Sequence, residues 1–555
     1  MALDLTAEQK DTGRRNFEAA AGELTRRGFM KSMAAGAAVV PLSAAVYYGY
    51  DSWKGNKAVK TAVIGTGDEG GVLIGDHNPE FLEVVAVSDI RPYNQKRIFE
   101  GEPSPSPRKG LNHIYGKDTA QKIRQFGHYE ELLDPAVIKS LGLEAVVIAL
   151  PLHMHDEVAI KCMKAGLHVL CEKLMARSVS QCKDMIKAAT DPANPRLLAI
   201  GHQRHYSMLY AHALEIVKSG VLGDIKHIRA LWHRNNSWPY DPKSEKEPVA
   251  EGFTQPYYRD SWFKAIYKED ADALKDPALL KKYGFNSMEE LVRWRIYDRT
   301  GGGLMAELGS HQLDAASIFL GKVRPLAVMG VGGKFFYGPG RNDRESDDGV
   351  WVTYEFPGPK HPKAGKGGTD ESDLVVVTYS SFNTNSFESY GECLMGSRGT
   401  MIVEQERDVY LFKEPQPGKA KSGGKETNVA VTAADGKKPV MEASSTWGGA
   451  GAAVTKQANA PKWDSDVRGY RSEMEHFAYC VRKWDAKLGY RKDKDGKYEQ
   501  ELPHCHGEVA MADAILALTA NMAMGKRVRI EFDPKWFQPD TPDVPEAKYG
   551  KNGLA

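Results

Sequence analysis

An apolar run that ends on three spaced glycines constrains this chain more than any other feature. KTAVIGTGDEGG (60–71) sets Gly65, Gly67 and Gly70 in a GxGxxG spacing directly after Ala62-Val63-Ile64. The first glycine permits a tight turn, the second lets a ligand approach the backbone, and the third lets a helix lie close on the strand. The free N–H groups at the start of that helix favour a bound phosphate. A glycine-rich turn alone would be weak evidence. Here a second run, LEVVAVSD (82–89), ends on Asp89, placed to accept hydrogen bonds from ribose hydroxyls. Strand, turn, helix and acid together predict a dinucleotide site. Asp89 favours NAD, since its charge repels a 2′-phosphate, but Arg91 two residues on could receive one, so NADP stays open.

The same texture continues beyond the turn. LEAVVIAL (143–150), GLHVLCEK (166–173) and RLLAIGHQ (196–203) are further apolar runs, separated by amphipathic stretches such as HDEVAIKCMKAG (155–166). Continuous Val/Ile/Leu runs alternating with helices predict a parallel sheet covered on both faces, an α/β Rossmann fold over 58–203. After about residue 224 the runs alternate instead: IKHIRALWHRN (225–235), LVVVTYSSF (374–382) and GTMIVEQERDVYLF (399–412) suit an open, mostly antiparallel sheet. The second domain is therefore expected to be α+β, spanning 204–540, with a tail at 541–555. It ends in a strong helix over 507–525, expected to lie between the two domains, and a strand over 526–534. Residues 413–462 are poor in apolar groups and read as a surface excursion or a disordered stretch.

Composition excludes some functions. With 74 basic and 73 acidic residues in 555, the chain has no basic excess for nucleic acid. The six cysteines form no CxxC pair, and adjacent His504-Cys505-His506 side chains rarely converge on one ion, so no metal is expected. The N-terminus, by contrast, reads as an address over residues 1–57. TRRGFMK (25–31) precedes a weakly apolar, Ala/Gly-rich stretch from Met33 to Tyr50, the order of features in a twin-arginine export signal. That predicts contact with the twin-arginine export machinery and a periplasmic location. Cleavage near Ser43–Ala45 and an uncleaved anchor, with Tyr47, Tyr48, Tyr50 and Trp53 at a membrane interface, are both open.

Two segments, ALPLHMHDEVAIKCMKAGLHVLCEKLMA (149–176) and GGGLMAELGSHQLD (301–314), resemble the Gfo/Idh/MocA oxidoreductase family. The likeness runs from about Lys60 through the last strong helix. It implies that Lys173 corresponds to the lysine of the family's EKP motif, with Leu174 in place of proline. Glu307 and His311 match the acid and histidine of a helix that completes the site. At a spacing of four, the two project from one helical face. Oxidising a carbinol requires removing its hydroxyl proton. That suits His311 as base, Lys173 as stabiliser of the alkoxide and Glu307 as the group that orients either. Pro151, His155 and Glu172 follow strand ends and are expected near the cofactor, His155 alternatively capping the helix after it. Arg204, Tyr206, His233, Asn235, Arg295 and Tyr297 supply donors for a hydroxyl-rich ligand.

The resemblance implies a sugar, polyol or related carbohydrate as substrate; export favours a tightly bound cofactor, because the periplasm offers no nucleotide pool, and a homo-oligomer is expected. Two alternatives stay open: redox-neutral glycoside cleavage through transient oxidation, and a sugar-binding protein without chemistry.

Overall fold

The computed structural model describes residues 5–32, 44–50, 53, 56–234, 240–255, 258, 260–414, 428–432, 440–444 and 468–550, without the side chains of 23–32, Val46, 428–432 and 440–444. Six parallel strands form the first sheet: β1 (Val59–Ile64), β2 (Leu82–Ser88), β3 (Arg124–Phe126), β4 (Ala145–Ile148), β5 (His168–Glu172) and β6 (Leu198–Gly201). Their spatial order is β3-β2-β1-β4-β5-β6. Every residue of β4 and β6 is buried, the signature of strands covered on both faces. The order reverses between β1 and β4, and the crevice outside the carboxyl ends there is where such sheets bind ligands. The three-residue edge strand β3 escapes the sequence pattern, because it has only one buried residue.

The second sheet has eight strands in the order β13-β12-β11-β7-β10-β9-β8-β16. They are β7 (Ile225–His233), β8 (Ala327–Gly333), β9 (Gly349–Pro357), β10 (Leu374–Phe382), β11 (Tyr390–Gly396), β12 (Gly399–Glu404), β13 (Asp408–Lys413) and β16 (Ile530–Glu531). All neighbours are antiparallel except β7 and β10. Strict alternation of buried and half-buried residues along β10 marks a sheet covered on one face. Met329, Val331, Trp351 and Met395 are exposed side chains of its strands. The run 399–412 is two strands rather than one, turned at Gln405 and Glu406, which take positive φ. Within 413–462, β14 (Asn428–Thr432) pairs with β15 (Val440–Ser444); the intervening residues, like 415–427 and 445–467, lie outside the described residues.

Helix Gly507–Lys526 is apolar almost all round and correspondingly buried. It lies against β8, helix Ser310–Phe319, helix Val179–Ala189 and β6, and so joins the two domains as the sequence predicts. The strand after it is shorter than expected, only Ile530–Glu531.

The N-terminal helix Ala7–Ser32 lies on β13. Phe17, Ala20 and Ala21 are buried in the main core, Asn16 donates to Leu411 O at 3.0 Å, and Arg14 pairs with Asp408 at 3.0 Å. The paired arginines fall in the last turns of this helix, and residues 33–43 lie outside the described residues. Among the described residues no helix is long and apolar enough to cross a membrane. Two of the four aromatic residues considered for a membrane interface are instead part of the protein core. Tyr50 is fully buried and donates to Glu475, while Trp53 stacks on Phe81 at 4.3 Å. Burial against protein removes both from any lipid contact.

Candidate functional site

The three glycines perform three separable tasks. Gly65, at φ +89°, turns the chain so tightly that a Cβ there would stand 2.3 Å from Ala149 O. A Cβ on Gly70 would stand 2.1 Å from Gly65 O, so helix Asp68–Asp76 rests directly on the turn. At Gly67 the nearest group to a Cβ is Asn94 Nδ2, 3.8 Å away, which leaves its backbone open to the cleft. Asp89 ties this turn to the end of β2. It accepts from Thr66 N (2.8 Å), Arg91 N (2.9 Å) and Asn94 Nδ2 (3.1 Å) and lines the same cleft. A glycine cradle opening on a helix N-terminus with an acid beside it fits a dinucleotide.

Arg91 also lines this cleft. Its guanidinium is held by Asp270, a residue from the stretch 240–299 of the second domain that reaches back over the first. Lys264, from the same stretch, contacts the carboxylate of Asp68 at the cradle, and Arg97 joins it at 3.0 Å. Neither Asp68 nor Lys264 is signalled by the sequence pattern, because their meeting depends on a fold-back of nearly 200 residues.

At the far end of the cleft, which encloses about 990 Å³, β5 delivers Glu172 and Lys173. The Lys173–Leu174 peptide is cis. Lys173 Nζ donates to the carbonyl of Glu307 at 2.9 Å, which joins the two domains at the reacting end. Met305–Gly309 is a π-turn leading into helix Ser310–Phe319, not the regular α-helix that the four-residue spacing suggests. Such turns are rare and concentrate at functional sites. The Glu307 carboxylate is turned to Arg295, whose Nε reaches Oε2 at 2.8 Å. Glu307 therefore holds Lys173 through its backbone and Arg295 through its side chain.

His311 also lines the cleft, 6 % exposed, with the Trp232 ring 5.5 Å away. Burial, reinforced by the positive charges of Lys173 and Arg204, holds its pKa well below the usual imidazole range. The ring is neutral at pH 7 and can accept a proton. Glu172 is shifted the other way. Burial and the facing charge of Glu69 push its carboxyl up to about 8, against the pull of Lys173. Its Oε2 accepts from Lys173 N at 3.1 Å, and among the described residues Oε1 has no partner.

Of the remaining residues singled out from the sequence, Pro151 and Arg295 line the cleft, together with Arg234. His155 does not. Its two ring nitrogens lie 2.8 Å from Leu174 O and 2.9 Å from Leu150 O, so it is a buried clamp on the backbone behind the cofactor crevice. Arg204 is a buried ion-pair centre: it reaches Glu392, Glu406 and the carbonyl of His311, and supports the site from beneath. Tyr206 is buried against His504 and His476. His233 is used by Phe387 O and Ser380. Tyr297 packs on the core beside the cleft rather than in it. Asn235 and Asn236 lie outside the described residues. Trp232, Trp262, Phe263 and Tyr470 line the cleft unannounced, since aromatic residues in a sequence read first as core.

All six cysteines are free and buried. Cys505 meets His205 and Asp513, not the adjacent histidines; a second group joins His202, Asp314 and Asp513. Between the two aspartates lies an ammonium: Lys322 Nζ is 2.5 Å from Asp314 and 2.8 Å from Asp513, and supplies the positive charge these carboxylates need.

Comparison with known proteins agrees with this fold. Residues 59–199 match the model of the GFO/IDH/MocA oxidoreductase family, NAD-binding Rossmann fold, and residues 282–392 match the GFO/IDH/MocA C-terminal domain. Two stretches of the chain thus match the models of both domains of that family. Relatives include a glycosyl hydrolase family 109 protein of Stenotrophomonas maltophilia, 29 % identical over 47 % of this chain and 53 % of that one. A levoglucosan dehydrogenase of Pseudarthrobacter phenanthrenivorans is 29 % identical over 26 % of this chain and 37 % of its own. The chain thus spans about half or less of the curated relatives it matches. An inositol dehydrogenase homolog of Azotobacter vinelandii, solved with NADH and myo-inositol, shares the Gfo/Idh/MocA fold at 15 % identity and TM-score 0.53. That likeness covers 86 % of this chain and 98 % of that one.

Proposed function

We propose that this chain is an NAD-dependent oxidoreductase that oxidises a hydroxyl of a sugar, polyol or related carbohydrate to the ketone. One observation carries the reading. The hydrogen bond from Lys173 Nζ to Glu307 O brings the end of β5 and the His311 helix together in the cleft that also holds the glycine cradle. Gly65, Gly67, Gly70 and Asp89 would hold the dinucleotide, which when bound supplies the hydride acceptor. His311, kept neutral by its surroundings, takes the hydroxyl proton at a ring nitrogen. The Lys173 ammonium, fixed by the Glu307 carbonyl, stabilises the negative charge that builds on the substrate oxygen. Glu307 and Arg295 are positioning residues. Trp232, Trp262 and Phe263 exclude water and offer apolar faces for a sugar ring.

Redox-neutral glycoside cleavage is the second reading, favoured by the relative described as a glycosyl hydrolase. One experiment separates the two. Protein is denatured to identify the released nucleotide by mass, and native protein is screened with free sugars and aryl glycosides at the NADH absorbance band. Sustained NADH formation with a free sugar is the expected result; aglycone release without net NADH would replace it with the glycosidase reading. Neither signal, with sugar bound, would leave a binding protein.

We further propose export by the twin-arginine route, supported by the Arg26-Arg27 pair and the apolar stretch after it. Ala44 and Tyr50 are buried in the fold, but a leader removed before Ala44 would also take Phe17, Ala20 and Ala21 out of the main core, which favours a signal that is not cleaved there. Replacing both arginines by lysine is expected to retain the protein in the cytoplasm on cell fractionation; unchanged periplasmic recovery would refute the route.

A further inference from the structure

We propose that Asp270 sets the preference of this cleft for NAD over NADP, by holding Arg91 away from the ribose. The inference rests on the dinucleotide reading above. Arg91 stands two residues past Asp89, at the start of helix Pro92–Glu100, where a guanidinium turned into the cleft would meet a 2′-phosphate. It is held instead by a carboxylate of the second domain. Nε and Nη2 both reach Asp270 Oδ2 at 2.8 Å, and Asp270 Oδ1 accepts from Tyr93 N at 3.0 Å.

Asp270 is 0 % exposed and comes from the helix Lys268–Ala273 of the second domain, 179 residues further along the chain. Both of its oxygens are therefore spent on one turn of the first domain. The Tyr93 and Tyr267 rings, 4.3 Å apart, close the contact on one side. Charge-assisted bonds of this kind are strong and directional, and they fix the guanidinium at that carboxylate.

What remains at the ribose end suits hydroxyls and opposes a phosphate. Among the described residues the Asp89 carboxylate accepts from two peptide N–H groups and the uncharged side chains of Thr66 and Asn94 and has no cation on it, and it lines the cleft. Nearby cations are engaged elsewhere: Arg97 with Asp68 and Glu102, Lys96 with Glu247. Lys246, which also lines the cleft, is another cation that could receive a phosphate, and the test below separates it from Arg91.

The experiment is calorimetric titration of NAD+ and NADP+ into the full-length protein, its Asp270→Asn and Arg91→Gln variants and the double variant. Asparagine keeps the acceptor for Tyr93 N and removes the charge that captures Arg91. Asp270→Asn is expected to tighten NADP+ roughly tenfold relative to NAD+, the gain from one charge-assisted phosphate contact. Adding Arg91→Gln should abolish that gain. A folded Asp270→Asn protein with the wild-type ratio would overturn the proposal, and so would a gain that persists in the double variant.

If circular dichroism shows Asp270→Asn unfolded, Arg91→Gln alone decides. Its NADP+ affinity should match wild type, because Arg91 makes no phosphate contact there; a loss would show that Arg91 already reaches the phosphate and would overturn the assignment. Failure of the wild type to bind either nucleotide would sink the dinucleotide reading itself, whereas NAD+ binding with an unmoved ratio sinks only the role of Asp270.

Discussion

Replacing Lys173 by alanine is expected to lower kcat by about a thousandfold while nucleotide still binds, and replacing His311 by alanine by about a hundredfold or more. The asymmetry follows from position. Lys173 is the charge fixed against the reacting end by the Glu307 carbonyl, and among the described residues no other ammonium is bonded to that carbonyl. His311 removes a proton that water in the enlarged cleft could partly accept. Its pKa, held well below the imidazole range by burial and by Lys173, sets the sign of the pH dependence. The ring is competent while neutral and loses its role only as pH falls through that depressed pKa, so kcat should stay flat from about pH 6 to 8. Steady-state rates across that range, with nucleotide affinity measured separately, check both points. Normal turnover in His311→Ala beside a dead Lys173→Ala would transfer the base to Lys173.

The parts of this site that can be read from the sequence are those whose chemistry is local. The GxGxxG turn, Asp89 at the end of β2 and Glu172-Lys173 at the end of β5 each announce themselves within a few residues, because strand, turn and helix N-terminus are contiguous. Strands β8, β9 and β11 escape notice because half their residues face solvent or are glycine, which dilutes the apolar signal. The donor residues fail for a different reason. Arg204 reads from its type as a sugar ligand, yet its partners Glu392 and Glu406 lie 188 and 202 residues away, and a side-chain type cannot say which carboxylate the fold will bring to it. The same distance hides Asp270 from Arg91. Long-range ion pairs are set by topology, and they decide here which cations remain available to a ligand.

Alanine at Gly67 and at Gly70 should give different defects, although both residues belong to one motif. At Gly70 a methyl group would meet Gly65 O at 2.1 Å, and Gly65 is itself pressed against Ala149 O, so two layers of backbone stand behind the clash. Neither layer can rotate aside as a side chain could. Helix Asp68–Asp76 must therefore move off the sheet, at a cost of about 1–3 kcal/mol for overpacking. Where the first domain, about 150 residues, unfolds as a unit, that lowers its Tm by roughly 2–4 °C per kcal/mol, and the displaced helix N-terminus should lose most of its affinity for NAD+. At Gly67, φ is −67° and nothing lies within 3.4 Å of a new Cβ. Gly67→Ala should melt with the wild type and still lose affinity, because its methyl occupies the space through which the pyrophosphate reaches the backbone. Thermal melting and calorimetric titration of the two variants test this directly. If Gly70→Ala melted like wild type, the close approach of helix to turn would be wrong; if Gly67→Ala bound NAD+ normally, the pyrophosphate would have to lie elsewhere in the cleft.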